Sequence, residues 1–324
     1  MQIEHVTKPV KLRRWVVVLL AAAMCLKAGM VQANEQINLG FSRSIVGGVN
    51  ENDALAVIKV WATELMVSEN YFVNVRPKIY GDAGEMKTAL QQNLVDFICF
   101  NTNEFFDFAH LLDQEKFVFP VYEGSMTEGY LLVIRKNSPI ETLEDLKGRS
   151  LIFSKNARTA LSFIWLDVEL ARAGLPVTEH FFNRVKPAGK VSDALLPIFF
   201  GKEDACLVTR RGFGIMAELN PQISHQLKFL AASKGYIPGF LAFRKNYRSK
   251  IKEVILNRIG LWGQTFAGHQ ILTIFQTDGL VPKPSGVLGP TMALIKEHRH
   301  LFSHGNKLSR PAFKAKADAP SERK

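Results

Sequence analysis

Two stretches of this chain each alternate short apolar runs with helix-period segments. That alternation restricts the fold more than any other feature of the sequence. Strands linked through helices by short connections pair in parallel and form a sheet covered by helices. The first stretch predicts a strand at 37–41 and a helix at 53–66 with Leu55, Ile58, Trp61 and Leu65 on one face. A strand at 73–79, a helix at 82–93 with Met86 and Leu90 inward, and a strand at 95–100 follow. The second stretch predicts strands at 130–135, 150–153, 181–185 and 205–208. It places helices at 142–146, at 157–173 (stopped by Gly174) and at 192–200. Further strand-like runs lie at 227–231 and 240–243, and residues 250–268 and 269–277 are helix-like. After about Pro290 the pattern weakens. The expectation is an α/β protein with two lobes, one for each stretch.

The ends of the chain differ from its middle. Lys8, Lys11, Arg13 and Arg14 precede an apolar run of about a dozen residues, and Val31-Gln32-Ala33 supplies small residues for cleavage. Residues 1–33 therefore look like a signal peptide cut after Ala33, an uncleaved N-terminal anchor being the alternative. The chain is therefore expected to be exported. Of the net charge of +11, residues 1–33 and residues 304–324 each carry +4. The basicity thus sits at the ends, which argues against nucleic acid as a partner. Residues 304–324 read as a disordered basic tail. Cys99 and Cys206 lie in apolar runs and are expected to be buried free thiols.

No nucleophile elbow, phosphate-binding loop or zinc-protease motif is present, so the chain is not expected to be an enzyme. Nothing asks for a cofactor. Gly47-Gly48 lacks dinucleotide-binding spacing. His298, His300 and His304 sit among lysines and arginines rather than in a closed metal site, so no metal is expected.

Several landmarks carry a family resemblance: INLGFS, DAGEMKTALQQNLVDF, GYLLVIRKNSPIETLEDLKGRSLIFS, SDALLPIFFGKEDACLV and GYIPGFLAFRKN. Over roughly residues 37–282 the sequence resembles the phosphonate-type periplasmic substrate-binding proteins of ABC transporters. That resemblance implies a two-lobed clamshell with two hinge crossings. Lobe one would comprise residues 34–124 plus 240–303, and lobe two residues 125–239. It implies a monomer that captures a small ligand for the membrane permease of an ABC importer. The alternative partner is a membrane sensor protein, with the chain as its ligand-sensing component.

At the ligand residues the sequence departs from the family. The family's Ser-Thr-Ser run is matched here by Arg158-Thr159-Ala160. A histidine is matched by Lys190, two tyrosines by Phe100 and Ala83, and two acidic residues by Arg211 and Phe240. Those exchanges favour an anion, whether phosphonate-, phosphate- or other oxyanion-like, over an amine, and they permit a more apolar ligand body. The candidate ligand contacts are Ser42 at the end of the first strand, Asn101 after the third, Arg158, Thr159 and Lys190, with Thr209 and Arg211 at a further strand end and Phe100 and Phe240 as walls. Each has an ordinary alternative: Thr159 as a helix cap, Lys190 as a surface lysine, Asn101 as a loop cap, Phe100 as core.

Overall fold

The computed structural model describes residues 35–46, 50–68 and 71–303. The signal peptide expected at 1–33 and the basic tail expected at 304–324 lie outside them. Two sheets organise the described chain. The first is built from β1 (Glu35–Ser42), β2 (Val73–Tyr80), β3 (Phe97–Asn101), β4 (Lys116–Val121), β10 (Gly239–Phe243) and β11 (Gly279–Pro284), in the order β11-β4-β10-β3-β1-β2. The second contains β5 (Tyr130–Arg135), β6 (Ser150–Ser154), β7 (Arg184–Ala188), β8 (Ala205–Thr209) and β9 (Leu227–Ala232), in the order β7-β6-β8-β5-β9.

The two sheets share a plan. In the first, β1 lies parallel to both β2 and β3, with α1 (Arg43–Val46), α2 (Glu51–Ser68) and α3 (Ala83–Gln91) in the connections. In the second, β6 lies parallel to both β7 and β8, with α5 (Ser162–Arg172), α6 (Thr178–Phe181) and α7 (Val191–Phe199) between them; α4 (Phe105–Phe108) belongs to the first lobe. An aspartate holds the same place in each lobe, just before the central strand. Asp96 accepts from the Asn38 backbone at 2.9 Å and side chain at 2.8 Å, and pairs with Arg244 at 3.2 Å. Asp204 accepts from the Ser150 backbone at 2.9 Å and hydroxyl at 2.8 Å. Each carboxylate ties the central strand to its parallel neighbour at the end of the sheet away from the strands' C-termini.

The lobes join through residues 122–129 and 233–238. These segments run against each other: the Glu128 N–H donates to the Tyr236 carbonyl at 2.7 Å, and the Tyr236 N–H returns the bond at 2.9 Å. Gly235 permits this approach, because a Cβ there would stand 2.5 Å from Thr127 Oγ1.

Several expectations are corrected. The expected helix at 157–173 is a single 3-10 turn, Ala157–Thr159, followed by α5. The strand placed at 181–185 begins at Arg184, because Thr178–Phe181 forms a helical turn with Asp167 accepting from the Thr178 N–H at 2.8 Å. The expected helix at 250–268 is broken into α10 (Lys250–Arg258) and a 3-10 segment, Ile259–Gln264, before α11 (Phe266–Ile274) begins. Helix α8 (Arg210–Leu219), turn α9 (Gln222–Gln226) and strands β4 and β11 went unpredicted.

The largest correction concerns the C-terminus. The region after Pro290 forms α12 (Gly289–Ser303). Expected with lobe one, α12 buries Leu294 and Ile295 in the lobe-two core beside Trp165 and Leu166. Arg172 forks onto Glu297, with bonds of 2.9 and 2.8 Å. Arg299 faces lobe one, its guanidinium 4.3 Å from the Phe106 ring centre. The chain therefore passes between the lobes a third time, beyond the two crossings expected.

Candidate ligand-binding site

In open α/β sheets, ligands lie beyond the C-terminal ends of the strands. Here those ends carry Ser42 on β1, Asn101 on β3, Ser154 on β6 and Thr209 on β8. Each leads into a helical turn, and where a cap is made a Ser, Thr or Asn oxygen accepts one of the backbone N–H groups that a starting helix leaves unpaired, as Asn156 does from the Arg158 N–H at 3.0 Å after β6. Thr209 shows this directly: its Oγ1 accepts from the Gly212 N–H at 3.0 Å.

On the lobe-one side, Ser42 and Ser44 do not stand free for a ligand. Their hydroxyls donate to the two oxygens of Glu104, at 2.8 and 3.2 Å. The Asn101 N–H adds a third bond at 2.9 Å. Burial pushes the Glu104 carboxyl above the usual glutamate range, while the bonds from Ser42, Asn101 and Ser44 pull it down. Asn101 itself is buried, and its Oδ1 has no hydrogen-bond partner; the same holds for Oδ1 of Asn103.

On the lobe-two side a second carboxylate holds the corresponding place. Glu128, only 5% exposed, accepts from the backbone N–H groups of Arg211, in the first turn of α8, and of Gly129, just before β5, and faces the charges of Arg158 and Arg211. Burial raises its carboxyl above the ordinary range, and Arg158 is the largest opposing influence. The reading from sequence missed both Glu104 and Glu128. It treated the loss of two family carboxylates as a loss of acid from the site, whereas two others fill the strand-end cradles. A glutamate three residues after a strand end was the available signal for Glu104.

The predicted residues separate into groups. Arg158 lies at the interface of the lobes: its guanidinium sits 3.9 Å from the ring centre of Tyr122, and its Nη2 donates to the Gln276 carbonyl. Arg211 pairs with the exposed Glu123 at 2.8 Å, while its Nε and Nη1 are buried without a partner. Arg158 and Arg211 thus converge on neighbouring residues, Tyr122 and Glu123, at the first crossing. Lys190 stands exposed at the head of α7, at the end of edge strand β7. The Thr159 hydroxyl is spent locally, donating to the Asn156 carbonyl at 2.8 Å and accepting from its N–H at 3.1 Å.

Phe100 and Phe240 are corrected as cleft walls. Both are fully buried, with ring centres 4.6 Å apart in a cluster with Phe105 and Phe108. They face each other across antiparallel strands β3 and β10, so their rings build the lobe-one core. Cys99 and Cys206 are buried free thiols, and burial pushes Cys99 up to about 12. Among the described residues no cluster of three metal-ligating side chains occurs.

A family model described as the periplasmic phosphonate substrate-binding protein of ABC transporters matches residues 61–284. No curated protein matches the chain in sequence. Among solved structures, XAC2383 from Xanthomonas citri bound to chloride is 13% identical with a TM-score of 0.59, covering 83% of this chain and 99% of its own. A binding-protein component of an ABC phosphonate transporter from Pseudomonas aeruginosa is 15% identical, with a TM-score of 0.56 over 86% of this chain and 91% of its own. A methylphosphonate complex of PhnD1 from Prochlorococcus marinus is 14% identical, with a TM-score of 0.53 over 82% of this chain and 98% of its own. At these identities the likeness speaks for the two-lobed fold.

Proposed function

The chain belongs to the periplasmic phosphonate substrate-binding proteins of ABC transporters, and from that premise we propose that it captures a ligand with a single oxyanion head between its lobes, at Arg211 and Arg158. The observation that carries this reading is the Arg211 side chain, with two buried N–H positions that have no acceptor. A buried donor without a partner costs about 1–3 kcal/mol, and an oxyanion accepting from the guanidinium fork would recover that cost. The hydroxyl-rich strand ends are already engaged with Glu104, and the start of α8 with Glu128. Few donors remain for a second polar group, which favours a ligand that is polar at one end only. The same buried carboxylates temper the bias against amines inferred from sequence, because Glu128 supplies negative charge close to Arg211.

Export through residues 1–33 and delivery to an ABC permease complete the proposal. The discriminating experiment is calorimetric titration of the purified protein with methylphosphonate, methanesulfonate, phosphate, acetate and aminoethylphosphonate. Binding of at least one small oxyanion, lost in Arg211→Ala, supports the reading. Tight binding of none of them, or of one that Arg211→Ala leaves unchanged, overturns it.

A further inference from the structure

An apolar cavity lies inside lobe one, between the sheet and helices α2, α10 and α11. Its walls come from Leu39 and Phe41 of β1, Ile58 and Ala62 of α2, Ile271 of α11 and Phe275 just beyond that helix. Its volume is about 120 Å³. It reaches the boundary between the lobes, because Tyr122 of the first crossing and Ala157 of lobe two also line it. Ala157 immediately precedes Arg158, whose guanidinium covers the Tyr122 ring at 3.9 Å. A cationic, interface-spanning group therefore sits at the outer end of an apolar cavity.

Protein interiors are ordinarily packed as densely as organic crystals, with few voids larger than a water molecule. An apolar cavity of roughly 150 Å³ stays dry and admits benzene, so one of this size has room for about four to six carbon atoms. The polarity is graded: carbon surfaces inside, then Tyr122, then Arg158 with Arg211 and Glu123 beyond. An amphiphilic anion matches that gradient end for end.

We propose that this cavity is a second subsite, for a short alkyl or aryl tail of about four to six carbons, whose anionic head stays at Arg158 and Arg211. The placement of the head rests on the function proposed above; the tail site rests on the cavity itself. Closure brings Ala157 of lobe two over the lobe-one cavity and shuts the tail in. Each methylene transferred from water to an apolar site strengthens binding about fourfold, so the cavity selects ligands by tail length up to its own depth.

The test is a calorimetric series of n-alkyl sulfonates, methyl to octyl, on the parent protein and on Ala62→Leu and Ile271→Phe, which fill the cavity from two different helices. The expected result is a rise of about fourfold per methylene that levels off near five carbons in the parent and falls below twofold per methylene in the filled variants. A flat series in a parent that binds methanesulfonate overturns the tail site and leaves the oxyanion reading intact. A rise that is equally steep in both filled variants also overturns it. If no sulfonate binds, the oxyanion reading is judged by the head-group titrations above, and benzene decides the cavity alone. A rise in melting temperature for the parent but not for the filled variants keeps the apolar site, whereas no rise ends it.

Discussion

The guanidinium of Arg158 rests 3.9 Å from the centre of the Tyr122 ring, joining the first helical turn after β6 in lobe two to the end of β4 in lobe one. A cation on an aromatic face is worth about 0.5–1 kcal/mol when exposed and about 2 when desolvated. The contact therefore favours the shut arrangement before any ligand adds to it, and Arg158→Ala should leave the unliganded protein more open. The check is small-angle scattering: a larger radius of gyration for the variant, together with a loss of about 10- to 100-fold in oxyanion affinity. An unchanged profile and affinity would remove Arg158 from both roles.

Arg211 and Glu123 make an opposing pair of predictions. Lysine carries the charge but not the planar fork, so Arg211→Lys should weaken oxyanion binding by tenfold or more. Glu123 is the exposed member of the ion pair and competes with the ligand for the same guanidinium. Exposed pairs are worth about 0.2–1 kcal/mol, so Glu123→Gln should tighten binding by up to about fivefold. Titration calorimetry at low salt reads both.

The raised carboxyls of Glu104 and Glu128 make a pH signature. A glutamate that keeps its proton to higher pH in the folded state than in the unfolded chain stabilises the fold fully below the ordinary value of 4.5. That contribution is lost as pH rises through the folded value. Melting temperatures measured from pH 4 to pH 7 should therefore fall less steeply in Glu104→Gln and Glu128→Gln than in the parent. Parallel curves would mean that neither group is shifted upward.

Gly235→Ala would place a methyl group 2.5 Å from Thr127 Oγ1 and 2.9 Å from Thr127 Cβ, where the two crossings meet. Overpacking of this kind costs about 1–3 kcal/mol. The variant should melt at a lower temperature and close less completely, and Thr127→Gly in the same chain should restore both. Failure of the second substitution to rescue would place the damage elsewhere.

Mass spectrometry of the exported protein should find Asn34 as the first residue. An intact N-terminus would instead mark residues 1–33 as a retained anchor.

The parallel halves of both sheets were readable because their strands are continuous apolar runs separated by helix-period segments, as in VDFICF and DACLVT. The aspartates of the same landmarks, Asp96 and Asp204, tie neighbouring strands together. Strands β4 and β11 were hidden by Pro120, Pro282 and Pro284, since proline argues against a strand unless it lies at an edge or away from the ladder bonds. Helix α12 was hidden by its basic composition, its lobe-two contacts resting on Leu294 and Ile295 together with Glu297. At the site, the charged residues were legible as types, but their partners were not. That Thr159 bonds its own turn, that Glu104 fills the serine cradle and that Arg158 lies on Tyr122 all depend on contacts between segments far apart in sequence or on local turn geometry.

Helix α12 also sets the order in which the two lobes can be completed. Lobe two occupies the middle of the chain, yet Leu294 and Ile295, which seal the core around Trp165 and Leu166, are among the last described residues to be synthesised. The lobe-two core stays incompletely covered until residues 289–303 pack on it, whereas β1, β2 and β3 all lie within the first 101 residues. A chain that stopped after β11 would keep every strand of both sheets and still leave the lobe-two core open to water. The stability of lobe two therefore depends on a segment that follows the last strand of lobe one.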